Sequence, residues 1–205
     1  SNTKSNNSHQ SKTLNIINSD VLKINFLDII NTKKNPYRII GNLPYNISSP
    51  LILQLLPIIN KKNKIADCIF LLQKEVVDRL AAKPNSSAYG RLSIITQYYC
   101  DVTPLIEIPP EAFSPPPKVD SMLVKLESRN NKNSKNMHLP KLNNIKSLEI
   151  VTRTAFNQRR KQLKSALQNL FSEDELINLN INPKLRAENL TIAEYIALAN
   201  KIIIN

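Results

Sequence analysis

Short apolar runs and helical apolar stripes follow one another along this 205-residue chain. Residues 14–18 read as a short strand ended by Ser19 and Asp20, and residues 38–41 read as a second strand. Ser49 suits an N-cap and Pro50 the first helical position, which predicts a helix over 50–59. Residues 61–64 form a charged turn. The continuous apolar run 66–72 predicts a strand buried on both faces. Helices are expected over 74–82 and 90–99, with a Pro/Asn/Ser loop at 83–87 between them. Strands are expected over 102–108 and 119–126, joined by a segment that holds Pro109-Pro110 and Pro115-Pro116-Pro117. Strands separated by helices predict an α/β fold with a mostly parallel, doubly wound sheet. The last two strands have no helix between them and are expected to pair antiparallel at an edge.

Everything after residue 136 reads as helical. One helix is expected over 147–155. Another is expected over 158–170, capped by Asn157, with Leu163, Leu167 and Leu170 on one stripe. Ser172-x-x-Glu175 and Thr191-x-x-Glu194 match the capping box. The helix that starts at Ile192 is expected to bury Ile196, Ala199 and Ile203. The resulting division is a polar, disordered segment at 1–13, a sheet domain at 14–128, a linker at 129–144 and a helical domain at 145–205.

Charge adds to this picture. The formal net charge is +12, which favours polyanionic partners. The excess is local: residues 129–164 hold ten Lys or Arg and a single acid, Glu149. Cys68 and Cys100 stand in apolar surroundings without CxxC spacing or a histidine cluster, so buried free thiols are expected and a metal site is not. No apolar run approaches the roughly 20 residues that cross a bilayer. The polar N-terminus has no apolar signal-peptide region, and a cytoplasmic protein with no membrane partner is expected. Only two glycines occur, Gly41 and Gly90, so no glycine-rich phosphate loop is present in these residues.

The candidate chemistry centres on Asn42-Leu43-Pro44-Tyr45, directly after a predicted strand. Asn42 offers an amide oxygen and an amide NH2, and Tyr45 a flat ring with a polar tip. Pro44 stiffens the turn. Such a corner can grip an exocyclic amino group while a ring stacks on the base that carries it; an ordinary strand-to-helix turn has the same residues. Asp20 stands at the end of a predicted strand, where ligands of parallel sheets bind, or it caps the next element. Phe113 either plugs a core gap or supplies a second ring to clamp a base, held stiffly by the prolines. Arg159, Arg160, Lys161 and Lys164 form either a solvated helix face or phosphate contacts. Arg159 falls closer to the leucine stripe, where it can serve the domain interface. Lys83, Tyr89 and Arg91 make a second, weaker basic-aromatic patch.

Five stretches carry a resemblance: GNLPYNISSPLILQLL (41–56), LLQKEVVDRLAAKPNSSAYGRLSIITQYYCDV (71–102), IPPEAFSPPPKVDSMLVKL (108–126), AFNQRRKQLKSALQNLF (155–171) and RAENLTIAEY (186–195). In these the chain resembles the bacterial small-subunit (16S) ribosomal RNA adenine N6,N6-dimethyltransferases of the KsgA/RsmA type. The resemblance implies a class I, Rossmann-like S-adenosylmethionine-dependent methyltransferase fold with a small all-α C-terminal domain. It implies a monomer that takes S-adenosylmethionine as methyl donor, with no metal. The implied partner is small-subunit rRNA in the 30S pre-ribosomal particle, with two methyl groups passed to N6 of each of two adjacent adenosines near its 3′ end. It places the cofactor contacts on Asp20 and Asn42 and the target contacts on the motif Asn42, Leu43, Pro44, Tyr45 and on Phe113; the charge band, not the resemblance, points to rRNA contacts at Arg159, Arg160, Lys161, Lys164, Lys83 and Arg91. The family's glycine-rich cofactor loop has no counterpart here. The chain starts roughly where the third strand of a family member is expected, so a truncated chain, or an rRNA-binding fragment without transfer activity, is the alternative expectation.

Overall fold

The computed structural model describes residues 14–30, 36–61, 64–129 and 139–203. The expected disordered segment 1–13 and most of the expected linker lie outside the described residues. In chain order the elements are a 3-10 turn (Val21–Lys23), α1 (Phe26–Ile30), β1 (Tyr37–Asn42), α2 (Tyr45–Ile59), β2 (Ile65–Gln73), α3 (Lys74–Ala81), α4 (Arg91–Tyr99), β3 (Cys100–Ile108), a 3-10 turn (Pro110–Ala112) and β4 (Ser121–Ser128). The helical part adds α5 (Ile145–Asn157), α6 (Leu163–Ala166), α7 (Glu173–Asn178), a 3-10 turn (Ala187–Asn189) and α8 (Ile192–Lys201).

The four described strands form one sheet in the order β1-β2-β4-β3. β1 and β2 are parallel, while β4 is antiparallel to both β2 and β3. The sheet is therefore mixed rather than mostly parallel, because β3 and β4 are joined without a crossover helix. The expected antiparallel pair of last strands is present, with β4 inserted between β2 and β3. β2 is interior and buries Cys68, Phe70 and Leu72, as its apolar run implies. Burial pushes the Cys68 thiol up to about 12, with Asp67 adding to the effect, and raises Cys100 likewise. Both cysteines are free and buried. Arg38 on β1 donates to both carboxylate oxygens of Asp67 on β2, at 2.6 and 2.8 Å, and so pins the parallel pair.

Four local expectations are corrected. Residues 14–18 form no strand: Leu14, Ile16 and Ile17 are exposed, and no described strand pairs with them. The helix after β1 starts at Tyr45, with Pro44 at the N-cap, five residues before the expected start. Pro50 thus lies inside the helix. It offers no N–H to the Asn46 carbonyl, and Asn46 is exposed to water, which offsets the loss. Residues 158–170 are not one helix. Asn157 ends α5 instead of capping a new helix, and residues 158–161 turn. Gln162 bridges to Arg186, and Leu163 N–H donates to the Leu185 carbonyl at 2.7 Å. This long-range pairing pulls the basic run out of helical geometry and leaves only α6. At the chain's end Ile196 and Ala199 are buried as expected, but Ile203 lies past α8 and is exposed.

One apolar core runs through both expected domains, from the α2 residues Ile52, Leu55 and Ile59 to Leu148, Leu167 and Ile196. The junction is aromatic. The Phe156 ring stacks on Tyr195 at 6.1 Å and meets the Tyr89 edge at 6.3 Å. Tyr89 is therefore fully buried and contributes nothing to a surface patch. The Tyr195 hydroxyl donates to the Ala187 carbonyl at 2.7 Å. Burying such side chains stabilises by about 1.5–3 kcal/mol each. A surface ion pair contributes about 0–1 kcal/mol, so the rings dominate the junction. Residues 139–144 are fastened rather than loose: Asn200 donates to the Lys141 carbonyl and accepts from Asn143 N–H.

Both capping boxes are present. Thr191 Oγ1 accepts from Glu194 N–H, and Glu194 accepts from Thr191 N–H at 2.7 Å. Thr191→Ala is expected to lower stability by about 0.5–2 kcal/mol, seen as a reduced urea midpoint at constant m-value. An unchanged midpoint would show that this cap contributes nothing.

Candidate functional site

The corner is built where β1 ends. Asn42 is the last residue of β1, paired with Leu71 of β2, and its side chain is exposed. Leu43 turns inward to 9% exposure, and its N–H donates to the Leu71 carbonyl at 3.3 Å. Gly41 makes this possible. A Cβ at position 41 would lie 2.9 Å from Leu43 Cδ2 and 3.6 Å from Phe70 Cδ1. The absence of a side chain there lets Leu43 pack beneath the strand and anchors the two exposed residues on either side of it, Asn42 and Pro44.

Pro44 caps α2, and its carbonyl accepts from Ile47 N–H at 3.1 Å. A carbonyl has two lone pairs, so one remains for a ligand. Tyr45 opens α2 with 40% exposure. Its hydroxyl lies 3.3 Å from Ser121 Oγ, the first residue of β4. Ser121 is almost fully buried and paired on both sides, to Gln73 of β2 and Ile108 of β3. The ring tip is therefore tethered to a buried residue paired on both sides in the sheet. Ser121 is the site residue that sequence reasoning missed; it closes the FSPPPKVDS stretch, but only the fold shows which hydroxyl it meets. Phe113 follows the 3-10 turn Pro110–Ala112, and its N–H donates to the Pro110 carbonyl at 3.1 Å. Ser114-Pro115 is cis.

These parts meet in one open cavity of about 320 Å³. Asn42, Leu43, Pro44, Tyr45 and Phe113 all line it, with Leu71, Pro115, Pro117 and Ser121. One polar amide, one carbonyl and two rings converge there, a set that suits a flat heteroaromatic bearing an amino group.

The remaining candidates lie elsewhere. Asp20 follows no strand. Its Oδ1 caps the turn Val21–Lys23 by accepting from Leu22 N–H at 3.0 Å, and it does not line the cavity. Of the two residues expected to hold a methyl-donor cofactor, Asn42 lines the cavity and Asp20 does not. No group of three or more His, Cys, Asp or Glu able to hold a metal occurs among the described residues. No described helix is long and apolar enough to cross a membrane.

Arg159 is engaged inside the protein, donating to Glu188 Oε2 at 2.6 Å and to the Ser87 carbonyl at 2.6 Å. It holds the loop 83–87 against the turn 158–161. Arg160 and Lys161 on that turn are exposed and form no ion pair among the described residues, and Lys83 is exposed on the adjoining loop. Lys164 lies 3.6 Å from Glu173. Arg91 opens α4 and lines a different cavity.

Gly41→Ala is expected to destabilise by about 1–3 kcal/mol through overpacking against Leu43; unchanged urea unfolding would show that Leu43 gives way freely. Ser121→Ala and Tyr45→Phe each remove the same hydrogen bond, at about 0.5–1.5 kcal/mol. The double variant is expected to lose no more than either single one, and full additivity would disprove the tether.

The sequence model of the family described as ribosomal RNA adenine dimethylase matches residues 2–203. The chain is 48% identical over 187 residues to a ribosomal RNA small subunit methyltransferase A of Klebsiella pneumoniae, covering 91% of this chain and 65% of that one. It is 46% identical, with the same coverage, to the protein of that name from Yersinia enterocolitica. The chain thus spans a little under two thirds of the length of these curated relatives. Among solved structures, a dimethyladenosine transferase of Plasmodium falciparum superposes with a TM-score of 0.64 at 26% identity, covering 82% of this chain and 68% of that one. The 23S rRNA methyltransferase ErmE shares the fold, with a TM-score of 0.60 at 17% identity, covering 89% of this chain and 69% of that one. With nearly its whole length matched by that family model, this chain belongs to the ribosomal RNA adenine dimethylase family.

Proposed function

We propose that this chain carries the target-base site and an rRNA-docking surface of an S-adenosylmethionine-dependent rRNA adenine dimethyltransferase. The substrate of this reading is two adjacent adenosines near the 3′ end of small-subunit rRNA, methylated at N6 by a cytoplasmic monomer acting on the pre-ribosomal particle. The observation that carries it is the single cavity shared by Asn42, Pro44, Tyr45 and Phe113.

Adenine N6 is a weak nucleophile because its lone pair is delocalised into the ring. Asn42 Oδ1 and the second lone pair of the Pro44 carbonyl can accept its two hydrogens. That favours a pyramidal nitrogen with its lone pair directed away from the acceptors. S-adenosylmethionine, when bound, supplies an electrophilic methyl group on a sulfonium. An adenine in a helix must leave its stack to enter the cavity. Tyr45 and Phe113 offset that cost, since each base–ring contact contributes about 1–3 kcal/mol. The Ser121 tether presets the Tyr45 ring, so less freedom is lost on binding. Alignment of this kind can lower a barrier by about 7–11 kcal/mol. Arg160, Lys161 and Lys83 contact phosphates. Arg159 acts indirectly, by holding their two loops together.

The curated relatives extend beyond this chain, and the 205 residues contain no glycine-rich loop. A second reading is that these residues bind rRNA without transfer; the family match and the named relatives support the first. Calorimetric titration with S-adenosylmethionine separates the two: a heat of binding supports transfer, and none supports the second reading.

Asn42→Ala is expected to lower the methylation rate by about 10²–10³-fold with rRNA affinity nearly unchanged; normal turnover would remove Asn42 from the mechanism. Arg160→Glu with Lys161→Glu is expected to weaken rRNA binding and to reduce the slope of log K against log salt by about 0.7–0.9 for each phosphate no longer neutralised. An unchanged slope would show that these side chains touch no phosphate.

A further inference from the structure

A second cavity, of about 350 Å³, runs along the flank of α2 and shares no lining residue with the corner. Facing helices build it from side chains one turn apart: Ile95 and Tyr99 on α4, and Ile145 and Glu149 on α5, opposite Leu53 of α2. Leu53 is 41% exposed here, although its neighbours Ile52, Leu55 and Leu56 on the same helix are buried. Two arginines complete the lining, Arg79 from α3 and Arg91 from α4. Among the described residues, neither guanidinium forms a hydrogen bond or ion pair, nor does the Glu149 carboxylate. Arg91 also stands at the N-terminus of the nine-residue α4, where the helix dipole favours an anion. The cavity therefore offers an anion site, an apolar slot and a separate acceptor, a combination that the corner lacks.

Its volume falls at the low end of the roughly 300–1,000 Å³ span of small-ligand sites, which suits one nucleotide rather than two. We propose that this cavity binds a nucleoside 5′-monophosphate whose base bears an exocyclic amino group. Arg79 and Arg91 hold the phosphate, as two planar forks matched to its oxygens. Leu53, Ile95 and Ile145 cover the base, and Glu149 accepts from the amino group. The ligand is either a free nucleotide or an unpaired nucleotide of an RNA strand; the chemistry recognised is the same. This site does not depend on the function assigned to the corner.

Calorimetric titration of the 205-residue chain with AMP, IMP and a 5′-phosphorylated adenosine-rich single-stranded hexamer tests the proposal. IMP differs from AMP at the position that Glu149 reads. AMP or the hexamer is expected to bind about tenfold more weakly to Arg79→Ala and to Arg91→Ala, the effect of losing a charge-assisted hydrogen bond. These side chains are exposed, so circular dichroism should show the variants folded. Glu149→Gln is expected to abolish the preference for AMP over IMP. Binding of AMP itself identifies a free nucleotide, and binding of the hexamer alone identifies an RNA nucleotide; both support the site. Lys184→Ala, at an exposed residue that lines neither cavity, is the control, expected to leave this binding unchanged. Absence of binding by both ligands, or binding retained at full strength in the arginine variants, would overturn the proposal.

Discussion

The site depends on Leu43 packing beneath Gly41 and against the sheet. A strand end is normally free to fray, and an exposed Asn-x-Pro-Tyr turn would sample many orientations. Here the second residue of the turn is buried, and a Cβ at position 41 would press on the Leu43 Cδ2 methyl at 2.9 Å. Asn42 and Pro44 flank that anchor and are held in the open on a backbone that cannot roll. The opposite end of the turn is fixed by the Tyr45 hydroxyl at Ser121, a residue paired on both sides in the sheet. The corner is rigid because it is held at both ends, and Pro44 stiffens the span between them.

The same logic extends outward. Tyr89, Phe156 and Tyr195 join the helical part to the sheet through ring packing, and Arg159 then closes the loop 83–87 onto the basic turn. Exposed charge on Lys83, Arg160 and Lys161 is thereby carried on a surface that belongs to the core. A phosphate backbone that engages this surface meets a fixed array rather than a floppy tail. The charge band of 129–164 acquires meaning only through this packing, because its first arginine, Arg129, is itself drawn inward beside Asp101.

Much of this was legible in the residues. The apolar run of β2, the two capping boxes and the corner's polar-aromatic character follow from local chemistry, and the fold respects them. The resemblance to rRNA adenine dimethyltransferases also pointed to the family that the chain belongs to. What was not legible came from long-range pairing. The basic run 158–162 has helical propensity, yet the bridge from Gln162 to Arg186 straightens it. Tyr89 sits in a polar loop but is the ring that Phe156 needs, so it is buried. Pro50 marks a helix start by local rules, but the cap at Pro44 lies earlier and the helix absorbs the proline. Ser121 gives no local signal of its partner, 76 residues away in the chain.

The most direct measurement is a crystal structure of the chain with a single-stranded RNA containing two adjacent adenosines. The account predicts one extruded adenine between Tyr45 and Phe113, with its N6 within hydrogen-bonding distance of Asn42 Oδ1 and the Pro44 carbonyl. An adenine bound away from that cavity, or an N6 turned from Asn42 into solvent, would contradict it.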